Sequence, residues 1–105
     1  MAQREALATG VFAPVTPRKE TDVALFMDVH TLGGPVPLAE AAKAHAADVA
    51  TQGRYGVDYL RYWVDEDAGK IFCLVEAPDA EAAASVHREA HGLLADSIFR
   101  VSEGA

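Results

Sequence analysis

From Val23 the chain alternates: Leu25, Met27 and Val29 are uniformly apolar, while Phe26, Asp28 and His30 between them are mixed. A period of two with one purely apolar side predicts a strand, and places the Leu25, Met27, Val29 face beneath helices. The breakers in Leu32-Gly33-Gly34-Pro35-Val36-Pro37 then predict a loop. Beyond it the period lengthens. Leu38, Ala41, Ala42, His45, Val49 and Gln52 form a helical stripe from about Leu38 to Gln52, with Gly53 as the stop.

Aromatic and β-branched residues predict the next strand, from Asp58 to Asp65. Glu66-Asp67-Ala68-Gly69-Lys70 reads as a polar turn, and Ile71 to Glu76 as the returning strand of a hairpin. Pro78 and Asp79 supply a helix start, because an aspartate side chain accepts hydrogen bonds from first-turn amides. The helix they open carries Ala82, Ala83, Val86, Ala90, Leu93 and Leu94 at three-to-four spacing, weakened near its end by Gly92. A short strand from Asp96 to Ser102 closes the pattern.

Strand, helix, strand, strand, helix, strand is the split order of an α+β, ferredoxin-like βαββαβ fold. It implies a four-stranded antiparallel sheet with two helices on one face. The other face then presents Phe26, Asp28, His30, Tyr59, Arg61, Trp63, Phe72, Leu74, Glu76, Ile98 and Arg100, a set too apolar for water. A homodimer packed through the sheet faces is the expectation. Alternatively Asp28, His30, Arg61 and Glu76 converge there in a cleft for a small ligand.

Residues 1–22 lack either period and contain Pro14, Pro17 and the charged patch Arg18-Lys19-Glu20. They are expected to form an arm, disordered over its first ten residues, preceding a domain over 23–105. At 105 residues the chain makes one small domain, and 21 of those residues are alanines that each bury little area. Self-association compensates for such a core.

The net charge of −7 repels phosphate backbones, so nucleic acid is an unsuitable partner, whereas cations are favoured. A single cysteine, Cys73, excludes an intrachain disulfide and any multi-cysteine metal site. Mid-strand on the core side, it reads as inert packing. No apolar run reaches the 18 or so residues of a membrane helix, and no signal-peptide pattern opens the chain, so a cytoplasmic location is expected.

The chemistry concentrates in four histidines. His87 and His91 stand four apart on the second predicted helix, a spacing that stacks two imidazoles on one face within reach of one metal ion. His87 falls on the border of the buried stripe and His91 further toward solvent. Arg88 occupies the place of the glutamate in His-Glu-x-x-His, which excludes a zinc-peptidase motif. His45, inside the first helix's stripe, needs a buried partner such as a tyrosine, or a metal. Asp48, three residues on, can assist either role.

Four runs together resemble a known family: Phe26-Met27-Asp28-Val29-His30, Tyr59-Leu60-Arg61-Tyr62-Trp63, Phe72-Cys73-Leu74-Val75-Glu76-Ala77-Pro78 and Val86-His87-Arg88-Glu89-Ala90-His91-Gly92. They resemble small bacterial nickel-binding proteins of a domain-of-unknown-function family, over about residues 23 to 102. The resemblance implies a ferredoxin-like subunit, a homodimer and bound nickel(II). Imidazole and carboxylate donors suit that ion. The candidate ligands are His30, His45, His87 and His91, with Asp28 and Asp48 as oxygen donors. They are arranged either as His45, His87 and His91 in the groove between the helices, or as Asp28 and His30 at the dimer face or its rim, with the helix pair binding a second ion on the surface. A non-enzymatic, divalent-metal-binding dimer is the leading expectation. The alternative is an enzyme on a small organic molecule in the open-sheet cleft, with His30 or His45 as general base and Arg61 steadying an anionic intermediate.

Overall fold

The computed structural model describes residues 23–105; the expected arm, its disorder included, lies outside the described residues. Strand β1 (Ala24–Thr31), helix α1 (Leu38–Thr51), strands β2 (Asp58–Asp65) and β3 (Lys70–Ala77), helix α2 (Ala80–Ala90) and strand β4 (Ser97–Arg100) follow in the expected order. The sheet runs β2-β3-β1-β4 with every neighbouring pair antiparallel. This is the α+β, ferredoxin-like arrangement.

Local chemistry sets the element ends. The Asp79 carboxylate accepts the amide of Ala82 at 2.8 Å and starts α2. Helix α1 continues into a 3-10 turn, Gln52–Tyr55, which ends at Gly56 with a positive φ of 67° rather than at Gly53. In the β2–β3 turn, Gly69 combines a φ of 68° with a position against the Gly34 carbonyl that leaves no room for a Cβ. Only glycine fits there. Leu32 N–H donates to the Gly69 carbonyl at 2.8 Å, and Leu38 N–H to the Glu66 carboxylate at 2.9 Å, so the loop before α1 docks on this turn.

The sheet face beneath the helices is not the one the alternation of β1 indicates. Phe26, Asp28 and His30 are buried, while Leu25, Met27 and Val29 lie half-buried on the open side. Register carries the correction across the sheet. Asp28 stands opposite Cys73 on β3 and Ile98 on β4, and His30 opposite Ile71. A bulge between Tyr59 and Arg61 reverses the parity of β2, so Tyr59 is buried beside Val75 while Arg61 and Trp63 pair with Leu74 and Phe72 on the open side. Arg61 and His30 thus stand on opposite faces. The expected cleft of Asp28, His30, Arg61 and Glu76 does not form.

The stripe of α1 is also rotated. Ala41 and Asp48 are buried and Ala44 and His45 half-buried, leaving Leu38 and Val49 exposed. An alanine-rich helix has little apolar bulk to fix its roll, and the partner offered to Asp48 inside the core decides it. Helix α2 buries Ala83, Val86 and His87 and stops at Ala90, one turn earlier than the apolar spacing predicts. Leu93 and Leu94 fall outside it. No described helix is long and apolar enough to cross a membrane.

Candidate metal centre

Between the helices and the sheet lies a polar core. Strand β1 contributes Asp28 and His30, α1 contributes Asp48, β2 Tyr59, β3 Cys73, and α2 His87; all are buried. Rather than bordering the stripe of α2, the His87 ring is buried within it, 1% exposed, and it bridges two carboxylates. Its Nδ1 lies 2.9 Å from Asp48 Oδ1 and its Nε2 3.0 Å from Asp28 Oδ2. The Tyr59 hydroxyl, 3.0 Å from Asp28 Oδ2 and 3.1 Å from the Ala83 carbonyl, ties strand to helix.

These contacts determine charge. Burial alone would raise the pKa of Asp28, but the His30 and His87 rings beside the carboxylate hold it well below the usual 3.8. Burial likewise opposes a charged His87, yet Asp28 and Asp48 at its two nitrogens raise it from 6.5 to about 9. Without a metal, the core holds an imidazolium between two carboxylates. Burial raises the Tyr59 hydroxyl and the Cys73 thiol, with the Asp28 carboxylate adding to both, so each keeps its proton.

Around His87 Nε2 three donor groups form a triangle, in which Asp28 faces each ring with a different oxygen. His30 Nε2 lies 3.2 Å from His87 Nε2, Asp28 Oδ2 3.0 Å, and Asp28 Oδ1 is 3.2 Å from His30 Nε2. Yet Asp28 Oδ1, although within ion-pair distance of His30, makes no aligned hydrogen bond and is buried without a partner, as is His30 Nδ1. Bonds of about 2.1 Å at right angles place neighbouring ligand atoms about 3 Å apart, so these edges suit a small divalent ion. Two imidazoles and a carboxylate on one side of an ion are donors that first-row metals accept. The residues present therefore fit a metal. Asp28, His30, Cys73 and His87 each offer a ligand atom within 4.8 Å of the others, and Asp48, His87 and His91 form a second such group.

His91 occupies a different position from the one helical spacing gives it. It is the C-cap of α2, with φ −152°, outside the last regular turn. Its Nδ1 accepts the Leu93 amide at 3.0 Å, which leaves the proton of the neutral ring on Nε2. That nitrogen faces Asp48 Oδ1 at 3.0 Å without hydrogen-bond alignment. Burial lowers the pKa of His91, only partly offset by Asp48.

His45 belongs to neither group; its ring leans on Tyr62, centroids 4.7 Å apart, at the wall of a cavity of about 20 Å³ that His30, Cys73 and His87 also line. In the groove between the helices His87 and His91 meet Asp48, while His45 lines the same cavity without joining that group. Asp28 and His30 lie on the helix side of the sheet, against His87, rather than on the open face. Sequence reasoning put Tyr59 on the open face, and placed Cys73 in the core but as packing rather than among these polar groups. For Cys73 the available signal was its alternation with Ile71 and Val75 and its place opposite Asp28 once the strands are registered; Tyr59, opposite Val75 and ahead of the bulge, carried none.

The crystal structure of SCO4226 from Streptomyces coelicolor A3(2) is similar to this chain, with 39% sequence identity and a TM-score of 0.73. The match covers 78% of this chain and 100% of that one. No curated protein matches significantly. A family model described as nickel responsive protein SCO4226-like matches residues 26–101, which takes in every residue of the polar core, and the chain belongs to that family.

Proposed function

We propose that this protein is a non-enzymatic, cytoplasmic, homodimeric binder of a divalent ion, nickel(II), held in the polar core by the Asp28 carboxylate and the Nε2 atoms of His30 and His87. The observation that carries the reading is the triangle of donor groups in mutual contact at 3.0–3.2 Å, in which Asp28 Oδ1 is buried without an aligned partner. Asp48 accepts from His87 Nδ1, the outer carboxylate that fixes the tautomer and orientation of a metal-bound imidazole. His91 backs Asp48, and His45 packs against Tyr62; neither is a ligand in this reading. The family's description as nickel responsive supports the choice of ion. The adjoining cavity has room for about one water, which favours ion binding over turnover of an organic substrate.

Calorimetric titration of chelator-treated protein with nickel(II) is expected to give one ion per chain. His30→Ala abolishes it, and Asp48→Asn weakens it by about 10–100-fold, the usual cost of losing an outer-sphere partner. A flat wild-type titration overturns the proposal.

The dimer rests on the open sheet face, where Met27, Val29, Phe72, Leu74, Trp63 and Phe99 adjoin through the strand register. Trp63 is 47% and Phe99 56% exposed in the single chain. A contiguous apolar sheet face of this kind is covered in the self-associated form. Light scattering should give twice the chain mass of 11.2 kDa for the wild type, and Leu74→Asp, at the middle of the face, should halve it. A monomeric wild type at tens of micromolar would refute the dimer.

A further inference from the structure

We propose that Cys73 is the fourth ligand of the core ion, binding as a thiolate; this rests on the metal-binding reading above and adds a residue to it. Cys73 stands directly opposite Asp28 across β1 and β3, so both side chains rise from the same face of the sheet toward His87. Its sulfur lies with the donor atoms of Asp28, His30 and His87 inside a group no wider than 4.8 Å. Cys73 is 6% exposed and lines the cavity beside the two histidines, so ligation needs no opening of the fold.

The chemistry balances. The Sγ–H bond breaks and the His87 imidazolium gives up its Nε2 proton, both protons pass to the buffer, and sulfur and the two imidazoles donate electron pairs to the ion. No electron is gained or lost. A divalent cation held by one carboxylate, one thiolate and two neutral imidazoles carries no net charge, the condition under which a buried ion is tolerated. A thiolate donor also biases the site toward borderline and soft ions such as nickel(II) and zinc(II), and away from magnesium and calcium. An aspartate with two histidines would discriminate less.

The chain has one cysteine, so a thiolate-to-metal charge-transfer band can arise only from Cys73. Chelator-treated wild-type protein is titrated with nickel(II), and in parallel with cobalt(II), while its near-ultraviolet absorption and calorimetric stoichiometry are recorded. The expected result is a band that grows to saturation at one ion per chain. Cys73→Ser, its fold checked by circular dichroism, binds at least 10-fold more weakly and lacks the band. Saturable binding of one ion without the band overturns the role of Cys73 and leaves the metal-binding reading standing. A band that survives in Cys73→Ser also overturns it. Absence of any bound ion in the wild type removes both.

Discussion

Replacing Asp28 with alanine is expected to lower the stability of the metal-free protein by about 3–5 kcal/mol, the range for deleting one partner of a buried ion pair. The carboxylate serves His87, His30 and Tyr59 at once. Its removal leaves an imidazolium with one carboxylate in place of two, and a tyrosine hydroxyl with only the Ala83 carbonyl. Tyr59→Phe, which deletes one neutral donor, should cost about 1 kcal/mol. Asp28→Asn should fall between them, because the amide keeps an acceptor but not the charge. Urea unfolding in the presence of a chelator measures all three. Should Asp28→Ala cost no more than Tyr59→Phe, the core is hydrated and the electrostatic account of it fails.

The same residues explain what was legible in the sequence. Element order, the hairpin and the Asp79 start follow from short-range rules, namely periodicity, turn residues and a cap whose partner is three residues away. Sidedness does not. On β1 both faces are apolar enough to be buried, so the cleaner alternation of Leu25, Met27 and Val29 marks the open face, and the helices cover the face bearing Asp28 and His30. On β2 a single bulged residue, Leu60, reverses the parity of Tyr59 relative to Trp63. Polar side chains enter this core because each meets a partner from another element, and partners 31 to 59 positions apart leave no trace in a local pattern. His87 was singled out by its spacing from His91. What it touches is instead fixed by β1 and α1.

Stability of the metal-free protein should peak near pH 6.5 and fall on both sides. The folded-state pKa of His87 is raised from 6.5 to about 9, so its contribution is fully present below pH 6.5 and is lost as the pH rises through 9. That rise corresponds to roughly 3 kcal/mol, or about 10 °C or more in melting temperature for a domain of this size. On the acid side, the lowered pKa of His91 means a contribution present above 6.5 and lost as protons force charge onto its half-buried ring. Asp28, held well below 3.8, contributes throughout this range and fails only in stronger acid. Melting curves in chelator from pH 5 to 10 at fixed ionic strength test the shape. His87→Gln should be less stable at pH 6.5 and nearly level from there to pH 9.5, because the titrating ring between Asp28 and Asp48 is gone. A wild-type curve that is flat over the same interval would mean that His87 enters the core neutral.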